Sequence, residues 1–425
     1  MKVVGLITEY NPFHNGHKYH IEEARRVTGA DYVIAVMSGN FVQRGTPAVL
    51  DKYCRTKMAL GNGVDLVLEL PVCYATGSAE YFALGAVSLL DKLGIVDYLC
   101  FGSECGDIAM LAKVAKLLLE APASFDEQLL SSLKDGLTYP AARLKAFEHY
   151  ISSNSDIMDT SAISKVLREP NNILGIEYVK AIYRLSSSMI PVTILRQSAH
   201  YHEKEITAST ERSLISSATA IRKAIQTPDS SLGMSLLNSS VPSDVYDILA
   251  TDYGKTYPIT EEDFSQLIKY KLLSEDNLSL TRYVDITSDL ADRMKNIFNY
   301  DMSILELTQH IKTKNMTLTR INRALIHLLL NIKLEAFQEY NQNNYTAYAR
   351  VLGVKKESSH LLRKISTIGR IPVITKVSNA ENQLDALGMR MLIEDLFAAH
   401  IYNQAVYEKY KTSTANEYKH GVCIL

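Results

Sequence analysis

Four short runs in the first 102 residues are apolar almost throughout: KVVGLIT (2–8), DYVIAVMS (31–38), VDLVLEL (64–70) and VDYLCFG (96–102). A strand with one face in water alternates apolar and polar residues. Runs without that alternation are buried on both faces, as in the middle of a parallel sheet. Parallel neighbours need a crossover connection, usually a helix. Helical patterns fill the intervals: HKYHIEEARRVTG, DKYCRTKMALGNG and SAEYFALGAVSLLDKLG. Each stops at a glycine (Gly29, Gly61 or Gly63, and Gly94), where a helix C-terminus favours one. The alternation predicts an α/β protein with an open, doubly wound, Rossmann-like parallel sheet. MIPVTILR (189–196) reads as one more strand, and 106–185 as helices with polar connections.

Around 226–244 the chain turns to QTPDSSLGMSLLNSSVPSD, rich in turn formers. A boundary is expected there, between an α/β domain over 1–225 and a mainly helical domain over 226–425. LTRINRALIHLLLNIKLEAF (318–337) is the clearest amphipathic stretch of the second half. A length of 425 residues agrees with two or three domains. With 47 % apolar and 22 % charged residues the composition is that of a soluble globular protein. The net charge of −2 excludes a global electrostatic attraction to nucleic acid, so an RNA partner would have to be met by a local patch. Five cysteines, an odd number with no C-x-x-C pair, read as idle thiols in a reducing compartment, and no metal site is expected from them. The N-terminus turns polar too soon for a signal peptide, and no apolar run approaches a membrane span. A cytoplasmic location is expected, with no membrane and no protein partner implied.

The first strand leads straight into EYNPFHNGHKYH (9–20). In an open parallel sheet, ligands bind beyond the carboxyl ends of the strands. Gly16 lets backbone approach a ligand. A helix beginning near Asn15 to His17 offers free N–H groups and a positive dipole end to an anion. His14 and His17, at i and i+3, share one side of that turn and can donate to phosphate oxygens, with a charged imidazole stabilising developing charge. The residues alone therefore point to a phosphate site under two imidazoles; a plain helix cap is the alternative.

FHNGH resembles the H-x-G-H signature of the nucleotidyltransferase superfamily. ISSATAIR (215–222) resembles its second signature, I-S-S-x-x-I-R, with one extra residue before Ile221. Longer strings sharpen the match: GLITEYNPFHNGHKYHI, MSGNFVQRGTPAVLDKYCRTKMAL, GVDLVLELP, FGSE and EPNNILGIEY. Together they resemble the bacterial tRNA(Met) cytidine acetate ligase family over most of the chain. The resemblance implies an ATP-dependent carbon–nitrogen ligase. Acetate is activated as acetyl-adenylate and passed to N4 of the wobble cytidine of elongator tRNA(Met), with release of AMP and pyrophosphate. It implies ATP contacts at Ile7, Thr8, Glu9, Tyr10, Asn11, Pro12, Phe13, His14, Asn15, Gly16, His17, Lys18, Tyr19 and His20. Further contacts fall at Gly102, at Asn171 (with Asn172 as the alternative), at Arg196, and at Ser216 and Ser217. His14, His17 and Arg222 are the expected catalytic residues, and Mg²⁺ is expected to arrive with ATP. Gln43, Arg44, Asp51 and Lys52 lie in a string where a small carboxylate could pair with Arg44 or Lys52. The competing function is a nucleotidyltransferase that adenylates a small cofactor precursor without RNA.

Residues 311–376 carry twelve Lys or Arg against three Glu, with Phe337, Tyr340, Tyr345 and Tyr348 interleaved. Cations for phosphates and tyrosines for unpaired bases make an RNA-reading surface, for which Arg320, Arg323, Arg350, Lys355 and Lys356 are the expected contacts. A solvated helix face is the alternative.

Overall fold

The computed structural model describes residues 1–120, 123–135, 139–152, 160–196, 218–226 and 237–425. Strands run in chain order as β1 (Val3–Thr8), β2 (Tyr32–Ser38), β3 (Phe41–Val42), β4 (Thr46–Pro47), β5 (Leu66–Leu70), β6 (Tyr98–Ser103), β7 (Ile190–Leu195), β8 (Ala349–Val354), β9 (Val373–Ile374) and β10 (Cys423–Ile424). The helices that matter below are α1 (Asn15–Thr28), α2 (Lys52–Gly61), α3 (Ala79–Lys92), α4 (Pro170–Arg184), α5 (Ala218–Gln226), α6 (Leu318–Leu329) and α7 (Ala386–Tyr410).

The five expected strands lie side by side, from β5 to the edge strand β7, in one sheet ordered β10-β8-β5-β2-β1-β6-β7, with β9 beside β8. From β5 to β7 all pairs are parallel. Successive residues of β2 serve opposite faces: Ile34 and Val36 enter one apolar cluster, and Val33, Ala35 and Met37 the other. That is why the run carries no polar alternation. α1 ends where Gly29 takes φ 62° and donates its N–H to the Arg25 carbonyl at 2.8 Å.

The second half is mainly helical, as expected, but it is not separated from the first. β8 pairs antiparallel with β5, and β9 and β10 pair parallel with β8. YARVLGV, which the charge count treats as part of a basic surface, is a strand buried along its whole length. The sheet edge at β5 presents unpaired backbone that must be covered, and the C-terminal half covers it.

This return of the chain encloses four charges. Lys52 Nζ lies 2.8 Å from Glu69 Oε1 and 3.0 Å from Glu417 Oε2. Arg350 Nη1 lies 3.0 Å from Glu69 Oε2, and Nη2 donates to Glu417. No member is more than 5 % exposed. The Tyr53 hydroxyl adds a third donor to Glu417 at 3.0 Å. Two expectations are corrected here. Arg350 cannot reach RNA, and Lys52 cannot receive a small carboxylate, because glutamates already occupy both cations. Asp51 serves as the N-cap of α2.

Burial pushes the Glu417 carboxyl up, but Lys52 and Arg350 outweigh it and hold it at about 2. A carboxylate depressed on folding contributes stability above its unfolded pKa and loses it as pH falls through the folded one. Glu417→Ala is expected to cost about 3–5 kcal/mol in urea unfolding near neutral pH, because it leaves buried cations unpaired. The stability gap between the chain and its Glu417→Gln variant is expected to shrink from about pH 5 down to about pH 2. A gap that stays constant across that range would show that the carboxylate's charge is not what stabilises the tail.

Candidate nucleotide-binding site

The chain leaves β1 in one direction, through β2 and β5, and returns on the other side through β6 and β7. The reversal lies between β1 and β6, and a crevice opens there beyond their carboxyl ends. Thr8 ends β1 and Ser103 ends β6. Arg196 follows β7, its backbone N–H bonded to the Ser103 carbonyl at 3.0 Å. Arg222, on α5, donates to the Asn11 carbonyl at 2.8 Å. Four segments far apart in sequence thus meet at one edge of the sheet.

The turn after β1 is tightly held. Tyr10 has φ 47° and the Asn11–Pro12 peptide is cis. Asn11 Oδ1 accepts from the Val49 N–H at 2.8 Å, and the Glu9 carboxylate accepts from the Gln43 N–H at 2.9 Å. Beneath it lies Arg55, fully buried, a residue without a signal in the sequence. It donates to the carbonyls of Glu9 (2.6 Å), Ser38 (3.0 Å), Leu50 (3.1 Å) and Gly39. One guanidinium therefore ties the ends of β1 and β2 to the loop before α2.

His14 is the N-cap of α1. Its Nδ1 accepts from the Gly16 N–H at 3.1 Å, and His17 Nδ1 accepts from the His14 N–H at 3.3 Å. This is the reciprocal geometry of a capping box, made here by two imidazoles. The rings stack with centroids 3.7 Å apart. Because both Nδ1 atoms accept, each neutral ring carries its proton on Nε2, which is then a hydrogen-bond donor.

Two expectations change. The first-turn N–H groups of α1 are not free: Gly16 bonds to His14, and Asn15 bonds to the Ser240 carbonyl at 3.1 Å. Nor are the imidazoles charged. Burial and then the charges of Arg196 and Arg222 push His14 down to about 3. Burial and Arg196 push His20 down to about 4, and burial with His14, Arg196 and His20 holds His17 well below its usual value. The groups here whose chemistry suits an anion are two neutral Nε2–H donors, the guanidinium groups of Arg196 and Arg222 and the helix dipole.

The remaining loop residues divide by burial. Tyr10 and Phe13 are core, with ring centroids 4.9 and 5.6 Å from His17. Pro12 is buried, Ile7, Asn15, Gly16, Tyr19 and His20 are half-buried, and Lys18 is exposed. At Gly102 a Cβ would stand 3.1 Å from Arg196 Cγ, so a side chain would press on that arginine. Asn171 Oδ1 accepts from Arg196 Nη1 at 3.4 Å, whereas the buried Asn172 uses its Oδ1 on the N–H groups of Glu104 and Cys105, at 2.9 and 3.1 Å. Asn171 faces the site and Asn172 supports it. Ser216 and Ser217 lie outside the described residues.

The basic segment is dispersed. Tyr340, Tyr348 and Phe337 are core residues rather than stacking platforms. Arg323 is held by Asp285 at 2.8 Å with 12 % of its side chain exposed. Lys355 and Lys356 follow β8, which runs against β5, so they sit at the sheet edge opposite the nucleotide crevice. Arg320 stands in the first turn of α6, its N–H bonded to the Thr317 hydroxyl at 3.3 Å. At Gly45, φ 72°, a Cβ would meet the Arg323 backbone nitrogen at 2.2 Å. The hairpin β3–β4, with the exposed Arg44 at its tip, therefore packs directly on α6.

Among the described residues all five cysteines are free, no group of three His, Cys, Asp or Glu converges on a metal position, and no helix is long and apolar enough to cross a membrane.

Known proteins resemble this chain over nearly its whole length. Residues 1–418 match the model of the HIGH Nucleotidyl Transferase family. The tRNA(Met) cytidine acetate ligase of Acetivibrio thermocellus is 40 % identical over 403 residues, covering 95 % of this chain and 94 % of that protein. The crystal structure of Thermotoga maritima TmcAL bound with alpha-thio ATP superposes with a TM-score of 0.88 at 30 % identity, and the apo form with 0.91 at 31 %; each covers 100 % of both chains. With its histidine pair at the switch point of the sheet and its likeness sustained from end to end, the chain belongs to the tRNA(Met) cytidine acetate ligases of the HIGH nucleotidyl transferase family.

Proposed function

We propose that the crevice between β1 and β6 is where this ATP-dependent ligase activates acetate and hands the acetyl group to elongator tRNA(Met). The observation that carries this reading is the stacked pair of neutral imidazoles, both with the proton on Nε2, within reach of the charges of Arg196 and Arg222. Such groups stabilise negative charge. In the first step an acetate oxygen bonds to the α-phosphorus of ATP as the bond to the bridging oxygen breaks, and pyrophosphate leaves. In the second, N4 of the wobble cytidine bonds to the acyl carbon, the mixed anhydride breaks, AMP leaves, and the amine loses a proton to solvent or phosphate. Both steps bring like-charged or weakly nucleophilic partners together, so positioning and charge stabilisation supply most of the rate.

His14 and His17 donate to phosphate oxygens, and Arg222, anchored on the Asn11 carbonyl, faces the leaving pyrophosphate. Gly102, Asn171 and Arg196 form the opposite wall. The described residues provide no ready-made metal site; magnesium would ride on the phosphates of ATP, and no step is assigned to it here. The RNA face is assigned to the crevice edge, where the Arg44 hairpin meets the start of α6 at Arg320.

Acetate-dependent ATP–pyrophosphate exchange, and labelled acetate recovered in tRNA, test the reaction; absence of exchange with tRNA present would overturn it. His14→Ala and His17→Ala are each expected to lower kcat for exchange by about 10²–10³. With His14 at about 3 and His20 at about 4, the kcat/KM profile of the free enzyme is expected to show no imidazole inflection between pH 6 and 8 and to fall only in acid. An inflection near 6.5 that His14→Ala removes would mean the ring titrates. Arg44→Glu with Arg320→Glu is expected to weaken tRNA binding at least tenfold and leave ATP binding unchanged, while Lys355→Glu with Lys356→Glu changes neither. Equal loss of ATP binding in the first pair would move the RNA face elsewhere.

A further inference from the structure

We infer that Glu104 is a positioning residue for the nucleotide: it fixes which way the Asn171 amide points and, through it, where the Arg196 guanidinium sits. This rests on the reading of Asn171 and Arg196 as nucleotide contacts given above. Glu104 follows β6 directly, and both carboxylate oxygens are turned onto the first turn of α4. Oε1 accepts from Asn171 Nδ2 at 2.5 Å and from the Asn171 N–H at 3.4 Å, and Oε2 accepts from the Asn172 N–H at 2.9 Å. Pro170 occupies the first helical position, where no N–H is needed. The carboxylate thus satisfies the first two N–H donors of the helix and complements its dipole.

The consequence lies in donor and acceptor logic. An asparagine amide can flip, exchanging its oxygen and nitrogen at little steric cost. An ionised carboxylate only accepts, so Glu104 admits one orientation: Nδ2 toward itself, Oδ1 away. That oxygen is the one that accepts from Arg196 Nη1 at 3.4 Å. Flipped, the amide would set its N–H donors against a guanidinium and its oxygen against a carboxylate. Arg196 is exposed at the end of β7, with Gly102 leaving room along its stem. Its charge lowers the proton affinity of His14, His17 and His20 alike, so its placement is felt across the site. A residue outside the ATP contacts therefore governs two residues within them.

The test is a double-mutant cycle on the full-length enzyme, read by direct ATP binding, by ATP–pyrophosphate exchange and by thermal unfolding. Glu104→Gln keeps the shape and one acceptor for the Asn172 N–H. It is expected to raise the KM and the dissociation constant for ATP about tenfold with kcat within about twofold, while Glu104→Asp restores part of the loss. Combined with Asn171→Ala or Arg196→Ala, Glu104→Gln is expected to add less than about twofold. Full multiplication of the two effects, or unchanged ATP affinity in Glu104→Gln, would overturn the proposal. If Glu104→Gln fails to fold, Asn171→Asp, which sets one carboxylate against another, must weaken ATP binding by the same order; unchanged binding there overturns it equally. Absence of exchange in the parent enzyme would bear on the proposed reaction, whereas the ATP-binding cycle reads Glu104 independently.

Discussion

β1 is hydrogen-bonded along both edges, to β2 on one side and β6 on the other, and those neighbours are reached by crossovers that run in opposite directions along the sheet. The strand order therefore reverses between β1 and β6, and in an open parallel sheet a ligand crevice forms beyond the strand ends at such a switch point. The histidine turn, Gly102, Asn171 and Arg196 border that crevice because each comes immediately after, or packs immediately beyond, a strand end. Parallel pairing from β5 to β7 sends all these ends to the same side. The site is a consequence of strand order before it is a consequence of any one side chain.

Charge is managed in two ways. In the core between β5 and β8, two cations and two carboxylates neutralise one another almost out of contact with water. Desolvation is repaid there only because each charge has partners of the opposite sign. At the crevice Arg222 donates to the Asn11 carbonyl and Arg196 to the Asn171 amide oxygen, and beneath them Arg55 donates to four backbone carbonyls. Carbonyl dipoles orient a guanidinium without cancelling its charge. Burial first, and then the charge of Arg196, keeps the three imidazoles neutral. The capping box fixes the tautomer of His14 and His17, whose Nδ1 atoms both accept from backbone.

The reach of the sequence follows from the range of the interactions involved. The five parallel strands and their helices were legible because a strand buried on both faces writes its environment into consecutive residues. The His14–Gly16–His17 turn was legible because a helix cap is built within four residues. YARVLGV escaped because one arginine interrupts the apolar run, and an arginine is ordinarily a sign of solvent. Its partners, Glu69 and Glu417, lie far from it in sequence, 67 residues in the nearer case, and nothing local announces them. The tyrosines among the basic residues misled for the same reason: an amphipathic ring is equally at home under a helix and on a base. Likewise Asn171 and Asn172 are chemically identical neighbours, and the turn of α4 alone sends one to the site and one to the loop before it.

The sequence by itself determined the class of fold, the position of the histidine turn after the first strand and, through long family-specific strings, the family. All three rest on patterns shorter than about twenty residues or on direct similarity. Only the tertiary structure decided which cations face the crevice and which are locked in the core, that the C-terminal half completes the sheet, and that Glu104 stands behind Asn171 and Arg196. Those are questions of long-range pairing and desolvation, and an ionised side chain carries no mark in its sequence neighbourhood of whether its counter-charge will be a distant carboxylate, a backbone carbonyl or a substrate.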